Sequence, residues 1–158
     1  MHQTIHDYSL LAPVSGKTIA LDAVPDPVFS EKLTGDGIAI QAESDTVLAP
    51  CDGVISLFFD TKHAFAITAD DGTQVLVHIG LDTVILNGEG ITPLHQPGDR
   101  IATGEPVLKL DLGFLKKSKI NLISPVLIVN YDTVRNLKAA APGQDMTAGT
   151  DKLLSYSK

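Results

Sequence analysis

Glycine and proline punctuate this chain at short, regular intervals, 13 and 9 of them in 158 residues, and no helix of ordinary length fits between many of the breaks. Between the breaks lie short apolar and β-branched runs at 37–41, 53–59, 64–68, 73–79 and 122–129. Many short strands separated by turn signals predict an all-β antiparallel fold, a sandwich or a barrel. Helical periodicity is confined to two places. Residues 132–140 read as a short helix, capped by Asp132 and stopped by Pro142 and Gly143, and 111–117 read as one further turn.

Two segments repeat within the chain. Leu11-Ala12-Pro13-Val14-Ser15-Gly16 recurs as Leu48-Ala49-Pro50-Cys51-Asp52-Gly53, and a shorter echo is Ser124-Pro125-Val126. Pro97-Gly98-Asp99-Arg100-Ile101 through Gly104 aligns without a gap to Pro142-Gly143-Gln144-Asp145-Met146 through Gly149, and an apolar strand follows each. Two copies of two elements predict internal pseudo-symmetry rather than a solenoid.

The charge balance narrows the function classes. A formal net charge of −7, with no basic cluster beyond Lys116, Lys117 and Lys119, disfavours nucleic acid and anionic lipid as partners. The apolar runs fall short of the roughly 20 residues a membrane helix needs, so no direct membrane insertion is expected. One cysteine excludes a disulfide framework and suits a reducing compartment. Cys51 itself, in an Ala-Pro-x-Asp-Gly turn, reads as a small apolar filler. Residues 1–8 are polar and show no signal peptide. The expectation is a cytoplasmic protein with a short flexible segment over 1–9 and one domain over 10–158.

Of five histidines, His2 and His6 fall in the terminal segment and His95 in a turn, all three read as surface residues. His63 and His78 differ, because two strand-like runs with Asp70-Asp71-Gly72 between them predict a hairpin. A two-residue Asp71-Gly72 turn would set Asp70 opposite Thr73 and His78 opposite Phe65, with His63 diagonal to His78 on the same face at about 7–8 Å. A register one residue away would send the rings to opposite faces. Paired neutral imidazoles suit phosphoryl acceptance on nitrogen, half of a zinc site, or general base work; the alternative is satisfied core histidines. A backbone carbonyl two residues beyond His78 can fix its tautomer by accepting from Nδ1, leaving Nε2 free. There is no Gly-x-x-x-x-Gly-Lys-Ser/Thr loop for direct use of ATP.

Thr61-Lys62-His63-Ala64-Phe65 and Val77-His78-Ile79-Gly80-Leu81-Asp82-Thr83-Val84 resemble the two active-site segments of the glucose-type enzyme IIA family of the bacterial phosphoenolpyruvate:sugar phosphotransferase system. The likeness continues through Val24-Pro25-Asp26 to Lys32, Gly35 to Ile40, Ala49 to Gly53, Asn87-Gly88-Glu89-Gly90 and Ser124-Pro125-Val126, over residues 10–156. It implies an antiparallel β-sandwich with one or two short helices, and a phosphohistidine carrier without a cofactor. By this resemblance a phosphoryl group comes from the phosphocarrier HPr to His78 and leaves for a cysteine of an EIIB domain. His63 would stabilise the phosphoryl group, Thr61 would hold His63, and the Gly80 carbonyl would hold His78. Asp26 and Asp82 would meet a basic residue of HPr, and Val28, Phe29, Phe59 and Phe65 would form the apolar rim where both partners dock.

Three other readings compete. A zinc-dependent hydrolase of the lysostaphin-like sandwich type is the first alternative. Against it, the chain has no His-x-His, and His63 and His78 supply two of the three protein ligands a catalytic zinc usually takes. Adventitious zinc at that pair remains compatible with the carrier reading. A swinging-arm carrier would need Lys152 in a lysine hairpin, but too few residues follow it for returning strands. A regulatory module that had lost phosphoryl transfer would not need both histidines.

Overall fold

The computed structural model describes residues 5–158. In chain order its strands are β1 (Asp7–Leu11), β2 (Gly16–Ala20), β3 (Asp36–Ala42), β4 (Thr46–Leu48) and β5 (Gly53–Phe58). Then come β6 (Ala64–Ala69), β7 (Gln74–His78), β8 (Ile91–Pro93), β9 (Arg100–Ile101) and β10 (Pro106–Leu110). The last four are β11 (Ile123–Ile128), β12 (Arg135–Ala139), β13 (Asp145–Met146) and β14 (Lys152–Ser157). Among the described residues the α-helices are α1 (Pro27–Ser30) and α2 (Leu112–Lys117).

An eight-stranded sheet, ordered β13-β2-β3-β11-β7-β6-β5-β9, forms one layer, and two three-stranded sheets, β1-β14-β12 and β4-β10-β8, complete the antiparallel sandwich. Alternation along the central strands sorts side chains to two apolar clusters. Ile38, Ile40, Phe65, Ile67, Val75, Val77 and Val126 face Leu10, Leu108, Leu154 and Tyr156 of the smaller sheets. The other face of the large sheet carries Ala39, Ala64, Ala66, Leu76 and Leu127, which pack under Leu21, Val24, Phe29 and Leu81. Both faces are therefore buried at the centre, and β6 and β7 read as continuous apolar runs for that reason.

The repeated segments occupy equivalent places. β13 adds to β2 through Met146 opposite Gly16 and Asp145 opposite Lys17, and β9 adds to β5 through Ile101 opposite Gly53 and Arg100 opposite Val54. The Gly149 N–H donates to the Ala12 carbonyl at 2.9 Å, as the Gly104 N–H does to the Ala49 carbonyl at 2.9 Å. The expected pseudo-symmetry is thus a pseudo-two-fold axis between β11 and β7.

Several expectations change. The segment 132–140 is not a helix: a 3-10 turn at Tyr131–Thr133 leads into β12, which pairs with β14 through Arg135 opposite Ser157 and Lys138 opposite Ser155. The apolar residues of that segment, Val134, Leu137 and Ala140, reach the core from the strand, and the free edge of β14 satisfies its backbone groups. Conversely α1, which the sequence reading missed, forms where the Asp26 carboxylate accepts from the Val28 N–H at 3.1 Å with Pro27 in the first turn. Asp7, Tyr8 and Ser9, expected in the flexible segment, pair with Ser157, Tyr156 and Ser155. His6 exchanges two backbone hydrogen bonds with Lys158. Residues 1–4 of the expected flexible segment lie outside the described residues. His95 is no plain surface residue: its ring sits between Asp99 at 3.0 Å and Glu105 at 2.7 Å.

Candidate functional site

The hairpin that carries the histidines has a three-residue loop, not a two-residue one. The Ala69 N–H donates to the Thr73 carbonyl, and Asp70, Asp71 and Gly72 span the turn. Gly72 takes φ +89°, the left-handed position of such a loop. Asp71 fits the turn by accepting from the Thr73 N–H at 2.9 Å. The register moves by one residue, so His78 stands opposite Ala64 and Val77 opposite Phe65.

That shift has two consequences. Phe65 turns inward, fully buried in the core between the sheets, and forms no rim for a partner. His78 turns outward with Ala64 and Leu76. Strict alternation would then send His63 to the inner face with Phe65. It does not, because the strand begins only at Ala64 and the residue before His63, Lys62, takes φ +65°. The broken pleat lets the His63 ring meet His78 with centroids 4.6 Å apart and planes at 82°. The Ile79 N–H still donates to the His63 carbonyl at 2.8 Å, so the ladder continues while the side chain leaves it.

Each ring is oriented through Nδ1. His78 Nδ1 lies 2.8 Å from the Gly80 carbonyl, which can only accept, so the proton of neutral His78 resides on Nδ1. Gly80 holds φ +73°, and a Cβ there would lie 2.5 Å from Thr83 Oγ1 and 2.8 Å from the Asn121 carbonyl; only glycine fits. His63 Nδ1 lies 2.7 Å from Thr61 Oγ1. Aromatic edges fix the rings from the other side: Phe29 meets His78 at 5.0 Å, and Phe59 meets His63 at 5.4 Å and His78 at 6.2 Å.

The rings open on a cavity of about 310 Å³, bordered by Asp26, Phe29, Phe59, Asp82 and two exposed valines, Val28 and Val84. His63 is only 3% exposed, so a group reaches it by way of His78. Burial, followed by the neighbouring His63 ring, pushes the His78 pKa down to about 4, against the opposing pull of the Gly80 carbonyl and Asp26. Burial also lowers the pKa of His63. At neutral pH both imidazoles are uncharged, and a lone pair is available on His78 Nε2.

The structure thus brings Asp26, Val28, Phe29, Phe59, Thr61, His63, His78, Gly80 and Asp82 together and removes Phe65 from the group. Sequence reasoning placed the Thr83 hydroxyl near the His78 ring but gave no role to Val84 in the cavity wall or to Ser124 beneath it. Thr83 and Val84 sit in a segment already singled out, but nothing in the local pattern marked the direction of either side chain. Burial raises the Cys51 thiol to about 12, which leaves it no nucleophile. Among the described residues no group of three or more His, Cys, Asp or Glu side chains is placed to hold a metal, and the zinc-hydrolase alternative finds no support. No helix among the described residues is long and apolar enough to cross a membrane.

Fold and site together define an antiparallel β-sandwich whose two histidines share one solvent-reachable cavity. The family model described as phosphoenolpyruvate-dependent sugar phosphotransferase system, EIIA 1, matches residues 8–134, and the chain belongs to this family. It is 44% identical over 129 residues to the PTS system glucose-specific EIIA component of Borreliella burgdorferi, covering 82% of this chain and 68% of that protein. It is 37% identical over 148 residues to the component of the same name from Oceanobacillus iheyensis, covering 94% and 89%. A Staphylococcus carnosus PTS system glucose-specific EIICBA component is 44% identical over 121 residues, which span 77% of this chain and 18% of that protein. The solved glucose permease IIA of Mycoplasma capricolum superposes with a TM-score of 0.83 at 33% identity, covering 95% of this chain and 96% of that one.

Proposed function

We propose that the chain is a phosphohistidine carrier, acting as a single domain at the cytoplasmic side of a sugar permease. It takes a phosphoryl group from phospho-HPr on His78 Nε2 and passes it to the cysteine of an EIIB domain. The observation that carries this reading is the pairing of His78 Nδ1 with the Gly80 carbonyl at 2.8 Å while the second imidazole stands 4.6 Å away. With its proton committed to Nδ1, His78 presents Nε2 as an uncharged nucleophile. The bond from phosphorus to the donor breaks as the bond to Nε2 forms; on delivery the phosphorus–nitrogen bond breaks and a phosphorus–sulfur bond forms.

His63 supplies what an acidic protein lacks locally. When the Thr61 hydroxyl donates to Nδ1, His63 carries its proton on Nε2 and can donate it to a phosphoryl oxygen. Arriving negative charge, roughly −1.5 to −2 if it resembles other phosphorylated side chains, opposes the effect of burial and favours the protonated ring. Val28, Val84 and the edges of Phe29 and Phe59 offer an apolar docking face, and Asp26 and Asp82 offer charge to a basic partner. The names of the relatives, glucose-specific in the free-standing proteins and EIICBA in the Staphylococcus fusion, support a glucose-type permease with an EIIB domain as recipient.

Incubation with phosphoenolpyruvate, enzyme I and HPr should label the protein, and His78→Ala should lose the label. His63→Gln should accept label but deliver it slowly. Equal labelling of His78→Ala would overturn the assignment.

A further inference from the structure

Two buried hydroxyls grip one peptide group at its opposite ends, and it is the group that precedes the carbonyl holding His78. The Ile79 carbonyl accepts from Thr83 Oγ1 at 2.6 Å. The N–H of the same peptide, that of Gly80, donates to Ser124 Oγ at 3.0 Å. Ser124 is fully buried on β11 and Thr83 is 1% exposed. The direction of the second bond is fixed, because the Ser124 hydroxyl proton is committed to the Leu122 carbonyl at 3.0 Å and only a lone pair faces Gly80. One residue further on, the Leu81 N–H donates to the Asn121 carbonyl at 2.8 Å. The backbone turn that aims the Gly80 carbonyl at the ring is thus tied to the 121–124 segment of a neighbouring strand and to its own 3-10 turn at Thr83–Leu86.

We infer that Ser124 and Thr83 are positioning residues, which set the His78 tautomer by locking the Ile79–Gly80 peptide and, through it, the Gly80 carbonyl. Neither touches the imidazole. Gly80 at φ +73° has the widest backbone freedom of any residue type, so without a clamp its carbonyl can swing away from Nδ1. A swung carbonyl leaves the ring free to exchange its proton between the two nitrogens, and the fraction of His78 with an open Nε2 falls. The importance of that tautomer for transfer rests on the phosphocarrier reading; the clamp itself does not.

The test is nitrogen-15 NMR of the imidazole rings in the full chain at neutral pH, which reads the protonated nitrogen directly. Wild type should show one His78 tautomer, protonated at Nδ1. Ser124→Ala, which leaves the Gly80 N–H without its acceptor, should lower the ratio of the two tautomers about five- to ten-fold, the weight of one backbone hydrogen bond. Ser124→Thr, which keeps a hydroxyl, should restore it. Thr83→Val, nearly isosteric, should lower the ratio from the other end of the peptide and serves as the test should Ser124→Ala not fold. A folded Ser124→Ala or Thr83→Val with the wild-type ratio overturns the inference. Phosphoryl labelling is run alongside. A shifted tautomer in a protein whose wild type takes no label upholds the clamp and rejects the carrier. A labelled wild type with unmoved tautomers does the reverse.

Discussion

The two halves of the large sheet are built alike and do different things. Gly16 opposite Ala42 in β2 and β3 corresponds to Gly53 opposite Ala69 in β5 and β6. Following the pairing inward, Ile38 opposite Val126 matches Phe65 opposite Val77, and Leu127 opposite Gly37 matches His78 opposite Ala64. The place of His63 is taken by Asp36, whose carboxylate accepts from the Gly37 N–H at 2.9 Å and lies 3.5 Å from Lys32. Beyond Leu127 the chain keeps its course, and the Val129 N–H donates to the Gln74 carbonyl. Beyond His78, in the matching place, Gly80 bends left-handed and returns its carbonyl to the ring. A duplicated scaffold therefore supplies the platform twice, while the chemistry needs an imidazole, a second imidazole freed from its pleat, and a glycine bend, found together in one half alone.

The largest contrast should appear on substitution at the two matched positions. His78→Ala should lose phosphoryl label altogether with the fold kept, whereas Leu127→Ala should keep the label and lose ~2–5 kcal/mol of stability in urea unfolding, as large-to-small changes in a core do. Leu127→His should create no second labelled site, since Val129 returns no carbonyl to it; label on that histidine would break the comparison. Next in size is the shared architecture. A Cβ at Gly16 would lie 1.9 Å from the Gln41 carbonyl and one at Gly53 2.2 Å from the Thr68 carbonyl. Gly16→Ala and Gly53→Ala should each cost about 3 kcal/mol, read as matched drops in melting temperature. Tolerance of either one would show that the two edges are not equivalent.

The pH dependence sharpens the contrast further. Because the folded state holds His78 near 4 instead of its ordinary 6.5, the unfolded chain binds the proton first as pH falls. Stability from this group is complete above about pH 6.5 and drains away down to about pH 4, by at most about 3–4 kcal/mol at ~1.4 kcal/mol per unit. Urea midpoints across this window should fall less steeply for His78→Leu than for wild type, while Leu127→Ala should leave the slope alone. An unchanged slope in His78→Leu would show that the ring does not resist protonation. The smallest effect is expected at the mouth of the cavity. Val28→Ala, 45% exposed, should change stability by no more than about 0.5 kcal/mol. It should slow label transfer between proteins several-fold when the partner is limiting, because the docking face loses apolar area. Transfer at the wild-type rate would remove Val28 from that face.

Much of the fold and site could be read from local pattern. Short runs between glycine and proline mark strands, and repeated turn segments mark a repeated scaffold. Asp111 caps α2 by accepting from the Phe114 N–H, where one helical turn was expected. The segment 132–140 went the other way because Val134, Leu137 and Ala140 can meet the core from a helix or from a strand, and the edge of β14 decided between them.

The same boundary runs through the site. That His63 and His78 belong to one hairpin, with a carbonyl in reach of the second ring, follows from spacing and residue type, which are properties of a short stretch of chain. Which way Phe65 faces does not follow, since one extra loop residue reverses every side chain in the strand. Nor does the meeting of the imidazoles, which depends on Lys62 leaving the extended region just where the pleat would separate them. The clamp of Ser124 on Gly80 joins residues 44 positions apart. Covalent order governs what neighbours along the chain can do; loop hydrogen bonds and packing between distant strands govern which of them face one another, and these forces exist only once the sandwich has closed.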